Sequence, residues 1–290
     1  MKDLNKKFIE ACENGDLETV RHLLLKEGER ADIHAKDGGG FEDGGFRWAC
    51  EFGRLNIVQD LLTSPELEEH ADIHACNNSA LKMACGSGHM DIVQYLLTSP
   101  ELKKHADIQG DCFSLACMNG KVETVQYLLT KIDLKERIDT HQMIKLGFVY
   151  ACREKHMDMV QYLLTHPDIK DYVDIHENGD AGFHWACANG DLDMVRYLVS
   201  SSELQEHSDV KSPSSYYKEP DYGFKLACEH GHDHVADFLL GFYKADDIEP
   251  LLNQLEDFAY CKKMQAIRQQ KKKMTEEFGE KGIVTHERRL

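Results

Sequence analysis

The chain has 290 residues, is 42% hydrophobic, and carries a formal net charge of −17 at pH 7. So acidic a chain is unsuited to wrapping nucleic acid, which needs a basic face, and to docking on an anionic bilayer. No apolar run reaches the roughly 18 residues of a membrane span, and residues 1–7 lack the apolar stretch of a secretory leader. The charge is uneven: residues 262–290 hold nine Lys/Arg and four Asp/Glu, against 25 and 47 in residues 1–261.

The dipeptide Ala-Cys recurs seven times, at Cys12, Cys50, Cys85, Cys117, Cys152, Cys187 and Cys228, with offsets of 38, 35, 32, 35, 35 and 41 residues. Such a period marks stacked repeats rather than one closed core. With Cys as position zero, position −4 is Phe8, Phe46, Leu81, Phe113, Phe148, Phe183 or Phe224. Apolar residues at −4, −1 and 0 form one face of a short helix. Position +3 is Gly15, Gly53, Gly88, Gly120, Gly190 or Gly231, a helix stop and turn. The fifth copy departs with Lys155.

A second helix follows, apolar at +5, +8, +11 and +12, with Leu at +11 in every copy from Leu23 to Leu239. Acidic residues such as Asp16, Asp91, Glu123, Asp158 and Asp191 stand in its first turn, where the helix dipole favours them. Ser64-Pro65-Glu66-Leu67 and Ser99-Pro100-Glu101-Leu102 then predict a brief extra helix, capped by Ser and started by Pro. The unit closes on Asp-Ile-His, as at Asp32-Ile33-His34 and Asp72-Ile73-His74. These His are expected to bond backbone between neighbouring loops.

The chain holds ten cysteines. Packed helices stand roughly 8–10 Å apart, beyond the ~7 Å a disulfide spans, and zinc motifs need far closer spacing. The motif thiols are therefore expected to be small buried hydrophobes in a reducing compartment, the cytosol or nucleus. Cys76, Cys112 and Cys261 lie outside the frame and are assigned to loops or helix surfaces.

This pattern resembles the ankyrin repeat, whose motif reads Thr-Pro-Leu-His-x-Ala-Ala, then Gly-His, then Val-x-x-Leu-Leu. The resemblance covers about residues 4–243, with Leu becoming Phe and the second Ala becoming Cys. Gly88-His89 and Gly231-His232 keep the Gly-His pair. Thr-Pro is absent throughout, so the family's hydroxyl–imidazole bond is expected to be lost, and only His184 holds the motif's His position. Together with Ser-Pro-Glu-Leu, the dialect resembles ankyrin proteins that intracellular bacterial pathogens deliver into host cells, and the tail resembles type IV secretion signals.

The resemblance implies an all-α solenoid of about seven helix–turn–helix units over residues 1–243. A C-terminal capping helix and basic tail would occupy residues 244–290, with Pro250 within the first turn. It also implies a non-catalytic scaffold that docks a protein with a basic or mixed surface. Expected with it are a monomer, no cofactor, and no nucleic-acid or membrane partner. The location would be cytoplasmic, in a host cell if secreted, with the nucleus possible. A eukaryotic adaptor is the alternative.

In the family's architecture the two residues after Ala-Ala, and the projecting fingers, face a concave groove. Carried onto this chain, the binding residues are Glu51, Phe52, Met118, Asn119, Arg153, Glu154, Asn189, Glu229 and His230. The longest finger, residues 211–223, adds Tyr216, Tyr217 and Tyr222, a residue type suited to rigid recognition. Phe52 could instead pack on the Gly-rich finger at residues 38–45, which is read as flexible and lacks the Lys of a phosphate loop.

Two enzymatic readings compete. A Cys–His hydrolase would need an exposed thiol of depressed pKa, which a packing face does not offer. His230, His232 and His234 form the one dense ligand cluster and could hold a metal if the turn folded them inward. Gly231-His232 already belongs to the repeat.

Overall fold

The computed structural model describes residues 2–131, 138–213, 215 and 218–278. Among these residues there are sixteen α-helices and no strand. Seven helix pairs follow the sevenfold frame. They are α1 (Lys2–Asn14) with α2 (Leu17–Leu25), α3 (Gly44–Glu51) with α4 (Leu55–Thr63), and α5 (Ala75–Ser87) with α6 (Met90–Thr98). Next come α7 (Gly110–Met118) with α8 (Val122–Leu129) and α9 (Ile138–Arg153) with α10 (Met157–Thr165). The last are α11 (Glu177–Ala188) with α12 (Leu192–Ser200) and α13 (Tyr222–Glu229) with α14 (Asp233–Leu240). The chain forms two compact units, one up to Asp174 and one from Ile175. In the first, the leading helices stack as α1, α3, α5, α7 and α9; in the second, α11 packs on α13.

The apolar frame is the core of each unit. Every residue at −4 is fully buried, every motif Cys and Ala is buried, and so are all seven residues at +8 and at +11. Turn glycines take left-handed φ values, and Lys155 adopts the same conformation at φ 65°. Gly53 shows why Gly recurs. Besides its φ of +72°, a Cβ there would stand 2.6 Å from the His89 ring. That ring sits at +4 of the next repeat and donates from Nε2 to the Glu51 carbonyl at 2.9 Å. Arg54 reaches the Glu13 carbonyl the same way, at 2.9 Å. The first repeat of each unit has Asp at +4 instead, and it turns back on its own helix. Asp16 accepts from the Thr19 N–H and Asp191 from the Met194 N–H.

Several local expectations need correction. The Ser-Pro-Glu-Leu segments are single turns, closed by Leu67 N–H to the Ser64 carbonyl and by Leu102 N–H to that of Ser99. The only helical piece at this place among the described residues is a short 3₁₀ helix, Lys170–Tyr172. The Nδ1 of each Asp-Ile-His histidine meets a side chain instead of the expected backbone. His34 Nδ1 pairs with Asp43 Oδ1 at 2.9 Å, and that same oxygen accepts the Asp72 N–H of the next loop at 3.0 Å. His74, Asn78 and the Asp107 N–H repeat the arrangement at 3.0 and 3.1 Å. His176, Asp180 and the Asp209 N–H do so in the second unit at 2.9 and 3.2 Å. The acceptors Asp43, Asn78 and Asp180 all have left-handed backbone, which Asn and Asp tolerate best among residues with a side chain.

The C-terminal cap is two helices rather than one: α15 (Ala245–Gln254) and α16 (Ala259–Phe278). Pro250 lies in the second turn of α15. The Gly-rich finger is organised by Asp37, whose carboxylate accepts the Gly39 and Phe41 N–H groups and pairs with Arg47 at 2.7 Å.

Candidate binding surface

The inner helices bury −4, −1 and 0. At 100° per residue, position −2 then falls on roughly the opposite side of each helix. In repeats two to five that position holds Trp48, Met83, Leu115 and Tyr150, all partly exposed, and in the first repeat it holds the exposed Glu10. They join the predicted residues at +1 and +2 on one face. Phe52 is 39% exposed and stacks on Trp48, with ring centroids 5.7 Å apart, rather than on the Gly-rich finger. Arg153 spans two repeats: its Nη2 lies 3.6 Å from the Met118 sulfur and its guanidinium 5.0 Å from the Tyr150 ring centre. It also pairs with Glu154 at 2.8 Å. Between these anchors stand the small residues Gly86 and Ser87, and a Cβ on Gly86 would meet Asn119 Nδ2 at 3.3 Å. Met118, Arg153 and Glu154 are thus joined to one another, with Asn119 next to Met118, while Phe52 lies on the same face two repeats earlier and the Glu51 carbonyl is committed to His89.

The second unit is a poorer match to expectation. Trp185, at −2, is 43% exposed, Asn189 is half-buried, and Glu229 and His230 are exposed. Tyr222 is not a free finger residue: it is half-buried and packs edge-on against His184 at 5.1 Å. Tyr216 and Tyr217 lie outside the described residues. His184 is buried, and its Nε2 meets Ser212 Oγ at 3.0 Å. A hydroxyl–imidazole bond is therefore kept, with the hydroxyl supplied by the next loop instead of by Thr-Pro. Burial holds the His184 pKa below its ordinary value.

A family model described as "Ankyrin repeats (3 copies)" matches residues 8–108, 46–140, 114–212 and 148–250. The chain belongs to the ankyrin-repeat family. A solved structure similar to it is the crystal structure of the human ASB11 ankyrin repeat domain, at 16% identity and a TM-score of 0.53. The match covers 82% of this chain and 97% of that one, and at this identity the likeness is one of fold.

In this ankyrin-repeat protein, two histidines of the cluster weighed above as a metal site are committed to backbone. His232 and His234 donate from Nε2 to the Ala188 and Gly190 carbonyls at 3.0 and 2.9 Å. Each nitrogen so used is lost to a metal, and no grouping of three or more candidate ligands occurs among the described residues. Nor do the motif thiols Cys50, Cys117 and Cys187, each enclosed by stacked helices, suit the nucleophile of a hydrolase. Burial raises Cys117 to about 12 and pushes Cys50 and Cys187 well above the usual thiol range. Cys76 is exposed as expected, whereas Cys112 and Cys261 are buried, contrary to their assignment to loops or helix surfaces.

Position −3, passed over in the sequence except for His184, carries much of the polar structure. Arg47 is buried with Asp37, donates to Ser79 Oγ at 3.1 Å, and lies under the Phe41 ring, which is 53% exposed. Lys82 reaches Asp111 at 2.8 Å, and Lys225 pairs with Glu219.

Proposed function

We propose that the chain is a non-catalytic scaffold that binds a cytosolic protein through the exposed inner-helix face, as an effector delivered by an intracellular bacterium into its host. In this reading residues 1–243 form the binding solenoid and 244–290 its cap, and the protein acts as a monomer without a cofactor. The observation that carries it is that Trp48 and Phe52, stacked in repeat two, and Met118 in repeat four lie on one side of the leading helices. These are large apolar groups on the side of the helices turned from the core, and exposed apolar anchors with a polar rim mark protein interfaces. The acidic flank of that face, Glu10, Glu13 and Glu51, together with the acidity of residues 1–261, supports a partner with a basic or mixed surface.

The test is affinity capture from host-cell lysate with the wild-type chain and with Phe52→Ala and Met118→Ala, followed by kinetics on the recovered protein. Each substitution should weaken binding about tenfold or more and leave the unfolding midpoint nearly unchanged, and association should slow as salt rises. Equal capture by both variants, or a salt-independent on-rate, would refute the reading.

A further inference from the structure

The sulfurs of Cys228 and Cys261 lie 3.7 Å apart within the second unit. Cys228 is the motif thiol of α13, and Cys261 is the third residue of α16. Both are buried, at 5% and 0% exposure. Three contacts seat α16 and turn Cys261 inward. The Tyr260 hydroxyl donates to Asp237 Oδ1 at 2.6 Å, and its ring meets Phe224 edge-on at 6.1 Å. Lys263 pairs with Asp233 at 3.4 Å. The sulfurs share a hydrogen bond, which holds Cys261 below the usual thiol range and Cys228 above it. Cys85 and Cys112 also interact, but they sit on α5 and α7, which are covered on both sides by stacked helices. The Cys228–Cys261 pair instead joins a repeat to a helix that packs on α13 and α15 and is mostly exposed from Lys262 to Lys273, the kind of element that opens at low cost.

We propose that Cys228 and Cys261 are a modification site, oxidised by a low-molecular-weight disulfide to an intramolecular cystine that latches the C-terminal helix onto the last repeat. When α16 lifts, the Cys261 thiolate attacks one sulfur of the reagent, whose S–S bond breaks and releases one thiolate. As α16 reseats, the Cys228 thiolate attacks Cys261 Sγ in the mixed disulfide and expels the second. Two protein thiols are oxidised, one reagent disulfide is reduced to two thiols, and the two protons pass to the leaving thiolates. The final bond needs the sulfurs to close from 3.7 Å to about 2.05 Å. The link closes a loop across 33 residues, and so should raise the unfolding temperature of the second unit by several degrees. It would fix the basic stretch Lys262–Lys273 to the body, whereas the reduced form leaves it able to lift. This inference does not depend on which surface binds a partner.

The experiment uses the full chain with Cys76→Ser, which removes the exposed thiol, incubated with oxidised glutathione. Free thiols are counted after denaturation, the link is mapped by non-reducing peptide mass spectrometry, and cleavage by trypsin at Lys262 and Lys263 is timed. We expect nine thiols to become seven, a Cys228–Cys261 peptide, and slower cleavage that dithiothreitol reverses. Adding Cys261→Ser, or separately Cys228→Ala, should abolish all three changes. Nine thiols remaining, glutathione adducts without a cross-link, or a link between other cysteines would overturn the proposal. The mapping on the Cys76→Ser chain decides the matter even if a second substitution unfolds the protein.

Discussion

Repeats two and three, and repeats four and five, share one compact unit and one apolar frame, yet they are joined differently. Between the earlier pair, Asp43 takes both His34 and the Asp72 N–H, and Arg47 bonds Ser79. In the later pair the residue seven before the motif Cys is Gly110 or Lys145, and neither supplies a carboxylate or amide acceptor. There the helices meet by close apolar approach: a Cβ on Gly147 would stand 2.9 Å from Cys117 Sγ. Met118 and Arg153 bridge the exposed side. The apolar frame is thus general to the stack, and the polar rungs are local additions that tie one loop to the next. Substitutions in the frame should cost the same anywhere, and substitutions in the rungs should matter only where a rung exists.

The largest effect is expected from Phe46→Ala and Phe113→Ala. Both side chains are fully buried, and each change should cost roughly 3–5 kcal/mol in urea unfolding. A difference of more than about 4 kcal/mol between them, well outside the roughly 2 kcal/mol spread at fixed chemistry, would break the idea of a uniform frame.

Next is Arg47→Met, which leaves Asp37 buried without its cation and should cost about 3 kcal/mol. Burial raises the Asp37 pKa, but the Phe41 N–H and the Arg47 guanidinium outweigh it, and the net shift is downward. A lowered folded-state value adds stability above the unfolded value of about 3.9, and that stability is lost as pH falls through the folded value. The gap between wild type and variant should therefore narrow on acidification below about pH 4.

A smaller cost, about 1 kcal/mol, is expected for Asn78→Gly. Glycine keeps the left-handed backbone at φ 56° and removes only the side-chain rung, to His74 and to the Asp107 N–H. Hydrogen exchange at the Asp107 amide should accelerate, while the Asp72 amide, held by Asp43, should not. Acceleration at both would show that the rungs are not local.

The subtlest expectation concerns His184. Because burial lowers its folded-state pKa, the unfolded chain takes up the proton first, and stability should fall as pH drops below about 6.5. Replacing it as His184→Asn should flatten that limb of the pH–stability curve.

The frame was legible because −4, 0, +8 and +11 repeat with helical spacing, and burial of apolar groups needs no partner of a particular kind. The polar rungs were not. Asn5, Asp43, Asn78, Asp180 and Asp221 all stand seven before a motif Cys, but their role depends on a neighbouring segment that spacing alone does not place and, in all but Asn5, on a left-handed backbone. The exposed stripe at Trp48, Met83, Leu115 and Tyr150 carried a signal that went unused: an apolar residue opposite a helix's buried face has no place in the core. Tyr222 misled because a tyrosine in a polar loop looks the same whether it faces water or His184. Cys261 misled because the repeat's apolar frame fades before it, so nothing around it in the sequence marks it as packing on Cys228, 33 residues earlier.

The most direct test of the binding face is site-specific photo-crosslinking in host-cell lysate, with a benzophenone side chain placed at Phe52 or, as a control, at the exposed Gln94 of α6. We expect covalent capture of one protein from the Phe52 position and little from Gln94. Equal or stronger capture from Gln94 would contradict the assignment of the inner-helix face as the binding surface.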